Sequence, residues 1–345
     1  MAKVFQECRS CRFEEEALNQ LIDRFGRRIS YLRISITDRC DLRCLYCMAE
    51  EMRFLPRAQV LTLEEIYTIA SAFVELGVEK IRITGGEPLV RRGALDLIER
   101  IGRLPLKELT LTTNGMRLAE CAERLASAGV RRINVSLDSL KPERFRQITR
   151  FGELDRVLLG IAAARRAGFA KVKLNSVVMK GYNHDEVVDL VRFAVDQGLD
   201  ISFIEEMPLG VIEEHDRAAV YYSSDQVRAD LEQAFELLPT PERTGGPARY
   251  FKVVGTETRV GFISPHSHNF CADCNRVRLT AEGRLLLCLG NEHAVDLKRV
   301  LRGYPGDEAK LRQAIVSAMA IKPERHHFNL SERPIILRHM NATGG

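Results

Sequence analysis

At 345 residues the chain is long enough to bury a substantial core, and 45% hydrophobic with 28% charged residues is an ordinary balance for a folded globular protein. No apolar run reaches the roughly 18 residues of a membrane span, and a net charge of +4 is too small to point to nucleic acid. No apolar export signal lies between Met1 and Leu18, so a cytoplasmic protein is expected, in which nine cysteines suggest metal binding or catalysis rather than disulfides.

Cys8 and Cys11 come first, a lone Cys-x2-Cys read as incidental, with an auxiliary metal half-site as the alternative. From Tyr31 to about Pro208, short β-branched runs alternate with segments of helical period, the pattern of repeated βα units. Six parallel strands are predicted at Leu32–Thr37, Lys80–Thr84, Glu108–Thr113, Arg132–Leu137, Lys171–Val178 and Ile201–Glu205. Thr62 and Glu65 make a capping box for a helix with a buried stripe of Leu63, Ile66, Ile69, Ala70 and Phe73, and Gly77 ends it. A second helix over Leu118–Ala128 places Cys121 in the core. After Pro208 the rhythm changes: a helix at Ser223–Leu238, strands at Tyr250–Val254 and Thr258–Ile263, and a helix near Asp307–Ala320. Three units follow: an N-terminal extension (1–24), a βα domain (25–210), and a smaller C-terminal elaboration (211–345) packed on it. The pattern allows an open doubly wound sheet or a full or partial barrel, and in both, ligands collect at the carboxyl ends of the strands.

Cys40-x3-Cys44-x2-Cys47 begins just after the first predicted strand. Three thiolates this close can each hold one iron of a [4Fe–4S] cluster and leave the fourth iron open to a small molecule. A structural zinc site would need a fourth ligand, and Met48, Ala49, Glu50 and Glu51 offer none nearby. Cys271-x2-Cys274-x13-Cys288 is a second triad, for which His266, His268 or His293 could complete a zinc site. Beside it Arg276 and Arg278 set two cationic forks on alternate positions, better suited to a phosphate or purine than to a sealed metal knot.

The first cysteine motif, with Tyr46 inside it and Thr84-Gly85-Gly86-Glu87-Pro88 after the second strand, resembles the radical S-adenosylmethionine (SAM) superfamily. With the second triad, Tyr31-Leu32-Arg33-Ile34-Ser35, Leu111-Thr112-Thr113-Asn114-Gly115, Asn134-Val135-Ser136-Leu137-Asp138 and the terminal Gly344-Gly345, it is similar, from about Phe25 to the end, to the GTP 3′,8-cyclase family. That resemblance implies an α/β fold, a partial (β/α)6 TIM-type barrel with a C-terminal α+β extension carrying a second iron–sulfur cluster. It implies a lyase of molybdenum cofactor biosynthesis with two [4Fe–4S] clusters, one on Cys40, Cys44 and Cys47 and one on Cys271, Cys274 and Cys288. The first cleaves SAM to a 5′-deoxyadenosyl radical that removes the 3′ hydrogen of GTP, and the ribose radical attacks C8 of guanine. Carried onto matching positions, Tyr46, Gly86, Ser136 and Met207 contact SAM, while Arg33, Arg82, Thr112, Lys173, Arg276, Val277 and Arg278 contact GTP. The glycines of the Gly-Gly-Glu-Pro turn would admit the methionine ammonium and Glu87 would accept from it. The Gly-Gly tail enters the active-site region. A cellular reductant and a downstream cyclic pyranopterin monophosphate synthase are the implied partners, and a homodimer is compatible.

The family pattern is broken at Asp41, Ala49, Ser202 and Thr343, where asparagine, proline, arginine and isoleucine are usual. Ser202 removes a strand-end cation and leaves room for altered specificity. Two other readings compete: a two-cluster radical SAM enzyme acting on a peptide or a different nucleotide, and an electron-transfer iron–sulfur protein with no need of the Gly-Gly-Glu-Pro turn.

Overall fold

A computed structural model describes residues 21–242, 244–330 and 334–344. Cys8, Cys11 and Gly345 lie outside these. Six parallel strands, β1 (Tyr31–Ser35), β2 (Lys80–Thr84), β3 (Glu108–Thr113), β4 (Val130–Ser136), β5 (Lys171–Val177) and β6 (Asp200–Ile204), pair in chain order. Between them run α1 (Leu63–Glu75), α2 (Ala94–Gly102), α3 (Leu118–Ser127), α4 (Pro142–Thr149) with α5 (Leu154–Arg166), and α6 (Val187–Asp196). The capping box on Thr62 is formed, and Gly77 adopts φ 84° just past the end of α1. Cys121 is half-buried at the margin of the core rather than inside it.

Alternation along each strand divides the residues between two faces. Leu32, Ile34, Ile81, Ile83, Leu109, Leu111, Ile133, Val135, Val172, Leu174, Ile201 and Phe203 enter the main hydrophobic core. The opposite face carries Tyr31, Arg33, Arg82, Thr112, Asn134, Ser136, Lys173 and Asn175 around a central cavity. The barrel is partial, since the sheet does not close.

The C-terminal part is not merely laid against this unit. After α7 (Arg217–Val220) and α8 (Ser224–Glu232), the strands β7 (Leu237–Pro239), β8 (Arg249–Val253) and β9 (Arg259–Ile263) extend the sheet beyond β6. The strands β10 (Arg276–Leu279), β11 (Arg284–Leu286) and β12 (Ala294–Asp296) extend it beyond β1. Both β9 and β10 run parallel to the strands they join, so the edges a six-stranded unit would expose are covered. The helix predicted to Leu238 stops at Glu232, because Leu237 is buried and Leu238 exposed, the two-residue period of β7 pairing with β8. α9 (Leu297–Gly303), α10 (Glu308–Ala318) and α11 (Met340–Thr343) complete the chain. Asp307 caps α10 by accepting from the Lys310 amide. Among the described residues no helix is long and apolar enough to cross a membrane.

Candidate active site

One cavity is lined by every residue assigned above to a cluster, to SAM or to GTP except Glu87. The first triad occupies the loop after β1, which hangs on the C-terminus of α4: the Arg43 and Leu45 amides donate to the Thr149 and Ile148 carbonyls, each at 3.0 Å. Its thiols are free, and the Leu42 amide points at Cys40 Sγ from 3.3 Å. Burial pushes all three thiols up, Cys47 to about 12, so deprotonated sulfur needs an added positive charge such as iron. Tyr46 Oη donates to Asp138 Oδ2 at 2.8 Å, and the Val177 amide holds Asp138 Oδ1 at 2.8 Å, fixing the phenol in the wall.

In the Gly-Gly-Glu-Pro turn both glycines line the cavity, whereas Glu87 departs from the expectation. A Cβ on Gly85 would lie 2.6 Å from the Thr37 carbonyl oxygen, and one on Gly86 2.5 Å from that of Arg39. The glycines therefore let the turn pack on the backbone that leads into the cysteine loop. Glu87 is wholly buried and absent from the cavity wall; its carboxylate accepts from the Leu89 amide, the Thr113 hydroxyl and the Asn114 amide. It fastens the ends of β2 and β3 and is not available to a ligand's ammonium.

In the second triad, burial opposes ionisation of Cys274 but Arg276 and Lys322 outweigh it, bringing the thiol down to about 7. Lys322 is 1% exposed, and its ammonium donates to the Leu287 carbonyl at 2.6 Å and the Arg276 carbonyl at 3.0 Å, with Cys274 Sγ at 3.6 Å. None of the three histidines weighed in the sequence meets the cysteines: His266 bonds the Glu206 carbonyl, His268 pairs with Asp225, and His293 is exposed. Instead His326 places Nδ1 2.9 Å from Cys271 Sγ while Nε2 bonds the Pro265 carbonyl. Among the described residues no three His, Cys, Asp or Glu side chains converge as one mononuclear ion requires. A cubane, by contrast, spreads its thiolates over separate irons.

Between the triads the cavity is cationic. Arg82 Nε donates to Tyr31 Oη at 2.5 Å and Nη1 to Thr112 Oγ1 at 2.9 Å. Among the described residues neither Arg82 nor Lys173 has a carboxylate within ion-pair distance. Burial and the neighbouring Arg276 lower Arg278 to about 10, and burial with Arg278 lowers Arg33. Such crowding is tolerable where an anion belongs. Val277 alternates onto the core face with Leu32 and Leu279, so only its main chain can face the cavity. Asn134 Oδ1 and Asn175 Oδ1 are buried in the wall with no partner among the described residues, ready to accept from ligand hydroxyl or ammonium groups. At the tail, Gly344 has φ 77°, its carbonyl accepts from Arg278 Nη1 at 2.6 Å, and a Cβ there would strike Thr84 Cγ2. Asp138, Lys322 and His326 were not singled out from sequence; only Asp138 had a signal, as an acid at a strand's carboxyl end.

The parallel sheet, the polar inner face and the three-cysteine loop after the first strand define a radical SAM protein, and residues 34–194 match the Radical SAM superfamily profile. Residues 199–328 match the profile for Molybdenum Cofactor Synthesis C. Among solved structures, SuiB from Streptococcus suis bound to S-adenosylmethionine shares the fold, with a TM-score of 0.62 and 15% identity over 88% of this chain and 72% of that one. The GTP 3′,8-cyclase of Ectopseudomonas mendocina is 61% identical over 95% of this chain and 99% of the relative. That of Pseudomonas entomophila is 62% identical over 94% and 98%. The chain belongs to the GTP 3′,8-cyclase family.

Proposed function

We propose that the chain binds SAM and GTP in this one cavity and converts GTP to (8S)-3′,8-cyclo-7,8-dihydroguanosine 5′-triphosphate in molybdenum cofactor biosynthesis. The observation that carries this reading is the placing of Arg33, Arg82, Lys173, Arg276 and Arg278 between two separate cysteine triads around a single cavity. When bound, two [4Fe–4S] clusters supply the electron that cleaves SAM, at Cys40, Cys44 and Cys47, and an open iron for the purine, at Cys271, Cys274 and Cys288. Tyr46, Gly86, Ser136 and Met207 are assigned to SAM, with the Asn134 and Asn175 carbonyl oxygens as further acceptors. Arg33, Arg82, Lys173, Arg276 and Arg278 offset the triphosphate charge, Thr112 holds the Arg82 fork, and the Val277 main chain lies beside the nucleotide. Walls of buried residues keep water from the carbon-centred radicals.

The reading includes three units (1–24, 25–210 and 211–345), a cytoplasmic setting, a cellular reductant, and delivery of product to a cyclic pyranopterin monophosphate synthase, with a homodimer compatible. Its test is anaerobic reconstitution with iron and sulfide, then incubation with reductant, SAM and each nucleoside triphosphate in turn. 5′-Deoxyadenosine and a cyclised guanosine product should form with GTP alone. Equal SAM cleavage without GTP would sink the substrate assignment. Cys44→Ala should abolish cleavage altogether.

A further inference from the structure

The barrel residues do not account for the whole cationic wall. Tyr250, on β8, is 3% exposed and lines the cavity with Thr244, Gly246 and Pro247. Its hydroxyl lies 3.3 Å from Lys173 Nζ and 3.3 Å from Thr244 Oγ1. Lys173, also buried, has Ser202 Oγ as its other partner, at 3.1 Å. The Thr244 carbonyl in turn accepts from Lys80 at 2.9 Å, which ties the loop before β8 to the barrel.

Arg82 on the far side bonds the Tyr31 and Thr112 hydroxyls, and the other charges around this spot are already matched. Arg259, whose guanidinium carbon is 5.6 Å from the Tyr250 ring centre, is paired with Asp200 and Glu242. Arg132 and Lys80 share Glu108. What is left beside Tyr250 is the buried Lys173 ammonium, which donates to the hydroxyls of Tyr250 and Ser202, with the Thr244 hydroxyl on Tyr250 in turn. Neutral hydroxyls cannot compensate a buried cation, but one on the cavity wall, as Tyr250 is, can donate to an anion that does. A phosphoryl group, with several acceptor oxygens and at least one charge, fits that set.

We propose that the Tyr250 hydroxyl, together with Lys173, binds a phosphate of the nucleotide, making β8 of the C-terminal segment a determinant of specificity for phosphorylated substrate. In the empty site the phenol oxygen accepts from Lys173; with phosphate present the ammonium turns to the anion and the phenol donates to it. Ser202, which is absent from the cavity wall, steadies the Lys173 ammonium at 3.1 Å rather than meeting the ligand. Burial opposes ionisation of Tyr250, but Lys173, the Thr244 hydrogen bond and Arg132 bring it down to about 8, so the donor proton is lost in mildly alkaline solution.

The proposal rests on the nucleotide reading above, and the test separates the two. Binding of GTP, guanosine and SAM to the reconstituted protein is measured by calorimetry for wild type and Tyr250→Phe. The variant should bind GTP about ten- to a hundredfold more weakly, as expected for a lost hydrogen bond to a charged group, with guanosine and SAM affinities and iron content unchanged. The ratio of wild-type to variant GTP affinity should shrink above pH about 8, where the phenolate can no longer donate. Unchanged GTP affinity, or an equal loss for GTP, guanosine and SAM, would overturn the proposal. Failure of the wild type itself to bind GTP would instead count against the nucleotide reading.

Discussion

Tyr31 carries a cost and a benefit in the same atom. Burial disfavours its phenolate, but Arg82, Arg33 and Lys80 outweigh burial and draw the phenol down to about 7. For an acid whose folded value is depressed, the stabilisation is fully present above the unfolded value of about 10 and is lost as pH falls through about 7. The thermal midpoint of the nucleotide-free protein should therefore rise between pH 7 and 10 relative to a Tyr31→Phe variant. A constant difference between the two proteins across that window would contradict it. A triphosphate competes for the same cations, so adding GTP at pH 8 should lower phenolate absorbance near 295 nm in wild type more than in the variant. This residue escaped sequence reading because it falls just before the predicted strand Leu32–Thr37; its partner Arg82 and the register with Arg276 are long-range facts.

At the scale of elements, the turn after β2 and the cysteine loop form one packed unit. The Gly86 amide donates to the Thr37 carbonyl at 2.7 Å and the Glu87 amide to that of Arg39 at 2.8 Å, with no space for a side chain between. Gly86→Ala must displace the loop backbone, and iron bound per chain should fall by roughly half, from two cubanes to one. Full iron content in that variant would refute the coupling. The helix α11 is a second such unit: the Met340 amide donates to the Cys47 carbonyl, and Asn341 Nδ2 to that of Asp38. Deleting Gly344 and Gly345 alone, which leaves those two contacts in place, should spare both clusters while suppressing GTP turnover, with iron analysis and product formation as the two measurements. Strand positions were readable because β-branched runs punctuated by glycine announce them. The triads were readable because ligand spacing is local. The role of Glu87 was not, since an acid after two glycines looks like a ligand group until its three donors, the Leu89 amide two residues on and Thr113 and Asn114 at the end of β3, are seen.

For the whole molecule, the decisive feature is that the segment after β6 contributes strands to both edges of the sheet. Glu205, at the end of β6, accepts from the Ser224, His266 and Ser267 amides and from the Tyr221 and Ser267 hydroxyls, sealing that junction. Beyond it, Glu206 holds His215 and Arg217 in a buried cluster, and Arg217 caps the Leu209 and Gly210 carbonyls. A fragment ending at Leu199 would expose β1 and lose β6, so it should not fold alone, and the full chain should unfold in one calorimetric transition. Two separable transitions would contradict this. The sequence pattern marks a change of rhythm near residue 208 but not the return to both edges, because β9 and β10 find their partners some 60 and 240 residues away.

Gly344 sits enclosed by Thr84 and the Arg278 fork. Both of those residues line the ligand cavity, so residues appended after Gly344 would begin beside it. An affinity handle or fluorescent label fused at that end would act as a tethered competitor for the nucleotide's own space, whereas one fused ahead of residue 21 starts from the chain's opposite terminus.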